Sequence, residues 1–284
     1  MPSLQDIKRR IRSVRNTQKI TRAMKMVAAA KLRRAQDSLA NVRPYVTHIR
    51  GLTERLAARA EEPHPFLEER SRELPAALVV ITADRGLCGG FNAILVNETL
   101  RLLREQFASR TVKLSVVGWR GSETLRRRGA ELEAAYSQVD DDSPQRLGRT
   151  IANRFMEAYR AEEVGEVYCL FNEFRSAINQ PLRLERLLPM QAEGDRQDPT
   201  VDFMYEPSAE EVLDHLLVNY LRVEMSRMLR EAAASEHGSR MTAMDSATNN
   251  AGEVIDRLTL QYNRVRQDAI TREVIEVVSG AEAL

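Results

Sequence analysis

The segment DRGLCGG, Asp84 to Gly90, follows a short apolar run and precedes a helical one. Glycines at such a place let backbone N–H groups approach a phosphate at a helix N-terminus. The segment lacks the Gly-Lys-Ser/Thr ending of a nucleoside triphosphate loop, and Gly86, Gly89 and Gly90 do not have dinucleotide spacing. A plain tight turn is the better reading. Ser122 in GWRGSET has no nucleophile-elbow spacing and no histidine near it in sequence, and it reads as part of a helix start. His48, His64, His215 and His237 are scattered, with none four residues from another or beside a cysteine, so only tertiary structure could assemble a metal site from them. Asp140, Asp141 and Asp142 read as a solvated turn. Cys88 and Cys169 are too few and too far apart to form a disulfide framework, and read as small buried hydrophobes. These residues point to no catalytic centre, no metal and no cofactor.

The elements that hold them explain more. Residues 1–50 carry 13 Lys and Arg against 2 Asp and Glu, while the remaining 234 residues carry 29 against 39. The near-zero net charge therefore hides a basic N-terminal arm, which suits nucleic acid, an anionic surface or an acidic protein partner. Only five of the basic residues are Lys, a bias that codon usage explains better than phosphate chemistry. No stretch approaches the roughly 18 apolar residues of a membrane span, and MPSLQDIKRR has no apolar core of a secretory signal.

From Ser3 to Arg43 there is neither Gly nor Pro, which permits one long helix with a kink or a restart at Pro44. Counting in alternating threes and fours gives a seam of Leu4, Ile7, Ile11 and Val14. It turns polar at Gln18, Thr21 and Lys25, then resumes at Ala28, Leu32, Ala35, Leu39 and Val42. The middle alternates. Strands are expected at Ala76–Thr82, Val112–Gly118, Glu166–Phe174 and Pro181–Met190, with helices after the first two and from Ser143, giving a mainly parallel sheet with a hairpin at its edge. Ser208 is a candidate N-cap for a helix from Ala209 to Val278, interrupted only by Gly238 and Gly252. In it Ile255, Leu258, Tyr262, Val265 and Ala269 repeat the threes and fours. Two seams flanking one insert pair most simply as an antiparallel coiled coil. The expected organisation is an N-terminal coiled-coil helix at 1–60, a Rossmann-like α/β domain at 75–205 and a C-terminal coiled-coil helix at 209–284. The second helix is the longer, so part of it must lie beyond its intramolecular partner. Its end carries Ile270, Val274, Val277, Val278 and Leu284, an apolar tip that needs a covering surface. Arg240 and Asn249, in a segment of small seam residues, are candidate exposed polar contacts.

KITRAMKMVAAAK, TADRGLCGGFN and SRMTAMDSATNNAGEVIDRLTLQYNRVRQDAITREVIEVVSGA occur in this order, and together the sequence closely resembles the gamma chains of F-type ATP synthases over essentially its whole length. The resemblance implies an antiparallel coiled coil inside a ring of three alpha and three beta subunits, with the α/β domain near the epsilon subunit and the c-subunit ring. It implies a central rotor shaft of a proton-translocating ATP synthase that is not itself catalytic. It also implies a peripheral position on the cytoplasmic face of a bacterial inner membrane. By the same resemblance Met24 and Lys25 lie near an acidic lever segment of a beta subunit, and Arg240, Gln267, Thr271 and Glu273 match positions that touch the beta catch loops. No nucleic acid and no cofactor is implied. Lys25 stands where some bacterial members carry an acid, and Ala83 where Ser is expected. The plant plastid form has a regulatory dithiol insertion, whereas Cys88 and Cys169 lie in separate strand regions. On the residues alone two other classes stay open: a nucleotide-binding enzyme using DRGLCGG with rods for dimerisation, and a basic coiled-coil binder of nucleic acid. Neither has a use for an apolar C-terminal tip.

Overall fold

A computed structural model of the chain describes residues 3–57, 64–137, 143–191, 206 and 208–282. The acidic run Asp140–Asp142, Leu284 and the side chain of Val277 lie outside what is described. The chain forms two compact units: Met1–Ala28 with Arg240–Leu284, and Ala29–Ser239. Two long helices, α1 (Leu4–Ala57) and α5 (Ala209–Glu282), each contribute to both.

Both helices begin with a side-chain cap. Ser3 Oγ accepts the Asp6 N–H at 3.2 Å while Asp6 Oδ2 accepts the Ser3 N–H at 3.3 Å, a reciprocal arrangement that satisfies two orphan donors. Ser3 also holds the Asp6 carboxyl below the usual carboxylate range. Ser208 Oγ accepts the Glu211 N–H at 3.2 Å, and Glu210 and Glu211 favour the positive end of the α5 dipole. Of the two expectations for Pro44, a restart does not occur, because the residue lies inside α1. The ring removes one helical hydrogen bond, but the turns after it bury Val46, Ile49, Thr53 and Leu56, and that burial holds the helix through. Gly238 and Gly252 are likewise carried within α5.

The second unit is built on a five-stranded sheet of order β3-β2-β1-β4-β5, with β1 (Ala76–Ile81), β2 (Val112–Val117), β3 (Ala134–Tyr136), β4 (Glu166–Asn172) and β5 (Leu182–Leu188). The first three and β4 are parallel, and β4–β5 is the antiparallel edge pair. The four expected strands are present, each slightly shorter than expected; β3 is one that no apolar run announces. All six residues of β1 are buried, as befits a central parallel strand covered on both faces. Ala77, Val79 and Ile81 face a core completed by α1, α4 (Ser143–Arg160) and α5. Ala76, Leu78 and Val80 face one completed by α2 (Phe91–Glu105) and α3 (Trp119–Arg127).

Cys88 and Cys169 are free and buried, as expected. Burial pushes the Cys169 thiol well above its ordinary range. Cys169 lies in β4, but Cys88 lies in the turn before α2 and not in a strand.

Candidate partner interface

The polar stretch of the α1 seam is not a gap. Within the first unit, Thr21 is buried with its hydroxyl 2.8 Å from that of Thr248, and Gln18 Nε2 donates to the Thr248 carbonyl at 3.4 Å. Lys25 Nζ lies 2.6 Å from Asp245 Oδ1, with both side chains nearly half exposed. All three residues therefore face α5. Buried Ile7 and Ala28 on α1, with Met244, Ala251 and Ile255 on α5, supply the apolar layers. A half-exposed ion pair adds only about 0–1 kcal/mol, so the apolar and Thr–Thr layers carry the pairing.

Thr248 Oγ1 also donates to the Met244 carbonyl at 2.7 Å, and Thr21 Oγ1 lies 3.1 Å from the Gln18 carbonyl. Each hydroxyl thus keeps a backbone acceptor when the other is removed. Thr21→Val and Thr248→Val are each expected to cost about 1 kcal/mol. The double variant should cost less than the two together, measured as a double-mutant cycle in urea unfolding; strict additivity would show that the two hydroxyls do not interact.

The register of Lys25 against Asp245 and Thr21 against Thr248, carried back to Leu4, places the start of α1 opposite about residue 266 of α5. The C-terminal part of α5 runs past it, as the unequal helix lengths imply. There Gln267, Thr271 and Glu273 are exposed, and so are the apolar Ile270, Val274, Ile275 and Val278. Met24 is half-buried beside Lys25. Arg240 is half-buried rather than exposed, while Asn249 is exposed. Sequence reasoning missed a second group of exposed apolar residues, Ile20, Met26 and Val27 on α1 and Leu260 on α5. For Met26 and Val27 the signal was present in the apolar positions of KMVAAAK that fall off the seam. Apolar area of this kind, left on paired helices, is what a protein partner covers.

The turn DRGLCGG in the second unit is held by its own groups. Asn92 Oδ1 accepts the Ala83 N–H at 2.9 Å and Asn92 Nδ2 donates to the Arg85 carbonyl at 3.4 Å. Leu87 and Gly89 both take positive φ, 63° and 58°. Asp84 Oδ1 accepts the Trp119 N–H at 2.9 Å, which satisfies an orphan donor at the start of α3. Ser122 lies inside α3, where its hydroxyl donates to the Gly118 carbonyl at 2.8 Å. The expectation of a structural turn is met.

A third arrangement was not legible in the sequence. Glu231 of α5, only 1% exposed, accepts from Arg43 Nε and Nη2 of α1, both at 2.9 Å, and from the Phe174 N–H at 2.8 Å. Arg43 Nη2 donates in turn to the Phe174 carbonyl at 2.8 Å. One carboxylate thus ties both long helices to the chain just after β4. Arg227, one turn earlier, binds Glu224 and Glu185 at 2.6 and 2.7 Å. Burial disfavours the Arg227 charge, but the hydrogen bond and charge of Glu224 outweigh it and raise its pKa.

Comparison with known proteins agrees with this architecture. The family model described as ATP synthase matches residues 3–284. The ATP synthase gamma chain of Geobacter metallireducens is 46% identical over 287 residues, covering 100% of this chain and 99% of that one. That of Moorella thermoacetica is 46% identical over 285 residues, covering all of both. A chain of the Tetrahymena thermophila mitochondrial ATP synthase central stalk and c-ring superposes with a TM-score of 0.62 at 26% identity, over 80% of this chain and 99% of that chain. A chain of the Euglena gracilis mitochondrial ATP synthase gives 0.68 at 18% identity over 99% and 94%, a likeness of fold. With a family model spanning nearly every residue and full-length relatives at this identity, the chain belongs to the gamma chain family of ATP synthases.

Proposed function

We propose that this chain is the central rotor shaft of a proton-translocating F-type ATP synthase, a non-catalytic subunit that carries rotation between the membrane rotor ring and the catalytic beta subunits. The observation that carries the reading is the antiparallel helix pair of the first unit, with its outward apolar residues and an α5 segment that continues past α1. Its partners are three alpha and three beta subunits around the helix pair, the epsilon subunit and the c-subunit ring. Met24, Lys25, Arg240, Gln267, Thr271 and Glu273 meet the beta subunits, and Ile270, Val274, Val277 and Val278 form the apolar tip. The chain sits peripherally on the cytoplasmic face of a bacterial inner membrane; no helix among the described residues is long and apolar enough to cross one.

A shaft biases its surroundings only through unequal interaction with their conformational states. Two unlike helices inside a threefold ring supply that inequality at every angle. The Lys25–Asp245 pair leaves Lys25 only part of its charge for an acidic beta segment, so Met24 carries more of that contact than charge alone would suggest. Reconstituted with alpha and beta chains and tagged with a bead, the chain is expected to turn as ATP is hydrolysed, while alone it hydrolyses none. A tagged chain that stays still in a hydrolysing complex overturns the proposal.

A further inference from the structure

Among the described residues β3 has one neighbour, β2, so its other side is open. Open edges of this kind pair with extended chain. Beside it lies a pocket of about 330 Å³ whose walls include Trp119, Glu123, Arg126, Arg127, Ala135 and Ser137. Trp119, the only tryptophan of the chain, is 55% exposed, with the Arg120 guanidinium 5.1 Å from its ring centre. A large aromatic left this far in water beside an open strand is an unused contact surface.

The charge around it is lopsided. From Trp119 to Gly129 the chain carries Arg120, Arg126, Arg127 and Arg128 against the single carboxylate Glu123. Glu123 is shared between Arg127 at 2.8 Å and Arg120 at 3.6 Å. Arg128 donates to the Asn97 side-chain carbonyl at 2.6 Å and forms no ion pair among the described residues. Arg126 is exposed at the pocket and forms no ion pair among the described residues. An occupant must therefore be extended, to use the edge, and acidic, to answer Arg126; an apolar side chain would fill the space beside Trp119.

We propose that the β3 edge and the Trp119 pocket dock an acidic extended segment of a partner subunit, which adds a strand beside β3 and places a carboxylate on Arg126. The proposal rests on the assembly reading for where that partner is found. Hydroxyl-radical footprinting with mass spectrometry, on the free chain and on the complete assembly, separates the two ideas, because Met26 is exposed on the paired helices of the other unit. The expected result is a several-fold drop in Trp119 oxidation on assembly, absent in Arg126→Glu, with a cross-linker on Ala135→Cys captured by an acidic stretch of one subunit. Met26 protected while Trp119 oxidises as in the free chain overturns the docking site and leaves the assembly reading standing; neither protected overturns both. Protection already present in the free chain assigns the pocket to another part of the same chain or, when concentration-dependent, to a second copy, and overturns the proposal. Equal protection in Arg126→Glu overturns the acidic occupant.

Discussion

Glu231→Ala is expected to destabilise the second unit by about 3 kcal/mol, at the lower end of the cost of breaking a buried ion pair. Two donor groups lose their acceptor at once, and a third, a cation, loses a neighbouring charge. The Phe174 N–H has no other partner among the described residues and is left buried without one, a loss of about 1–3 kcal/mol by itself. Arg43 is half exposed and can turn to water, which keeps the cost from the top of the range. Arg227, whose Nη1 lies 3.6 Å from Glu231 and whose own side chain is mostly buried, loses part of its compensation. Glu231→Gln keeps one oxygen for the Phe174 N–H but meets Arg43 with an amide, so about half the loss is expected to remain. Urea unfolding followed by Trp119 fluorescence reports this unit selectively. A Gln variant as stable as the parent would show that charge at Glu231 matters little, and a shift of the Ala variant no larger than that of Gln would show that the Phe174 hydrogen bond adds nothing to it.

Gly118→Ala is expected to cost about 3 kcal/mol, by a mechanism with no charge in it. Gly118 joins β2 to α3 at φ 101° and ψ 126°, a region that side chains resist at about 1–3 kcal/mol. A Cβ there would also stand 2.4 Å from the Thr82 carbonyl oxygen and 2.5 Å from its hydroxyl. Neither can retreat easily, because the Thr82 N–H and hydroxyl both donate to the Val117 carbonyl at 2.7 Å. Overpacking against fixed backbone adds about 1–3 kcal/mol. Because Trp119 follows directly, its emission in the folded variant should also shift. An unfolding midpoint equal to the parent's would show that the β2–α3 turn relaxes freely.

The two costs differ in legibility. GWRG reads as a break between strand and helix, so a demanding glycine at Gly118 is consistent with the sequence. Nothing near Glu231 marks it: it is one more acid in a charged helix, and its partners lie 188 and 57 residues away.

The seam shows what sequence determines. Ile7, Thr21, Ala28, Leu32 and Leu39 are buried, and Ile11, Val14, Gln18, Lys25, Ala35 and Val42 half-buried, the face that counting in threes and fours selects. Period is a local property, written in each helix by itself. The four expected strands formed for the same reason, and the motifs placed the chain in its family. What lies opposite a seam is not local. Only the tertiary structure decided that Gln18, Thr21 and Lys25 meet Thr248 and Asp245, more than 200 residues away, and so grip α5 rather than face out. It also decided β3, a three-residue strand too short to carry a pattern of its own, held by its ladder to β2. The polar pairs and the short strand share one cause: they exist because of what the rest of the chain presents to them, and no window of neighbouring residues contains that information.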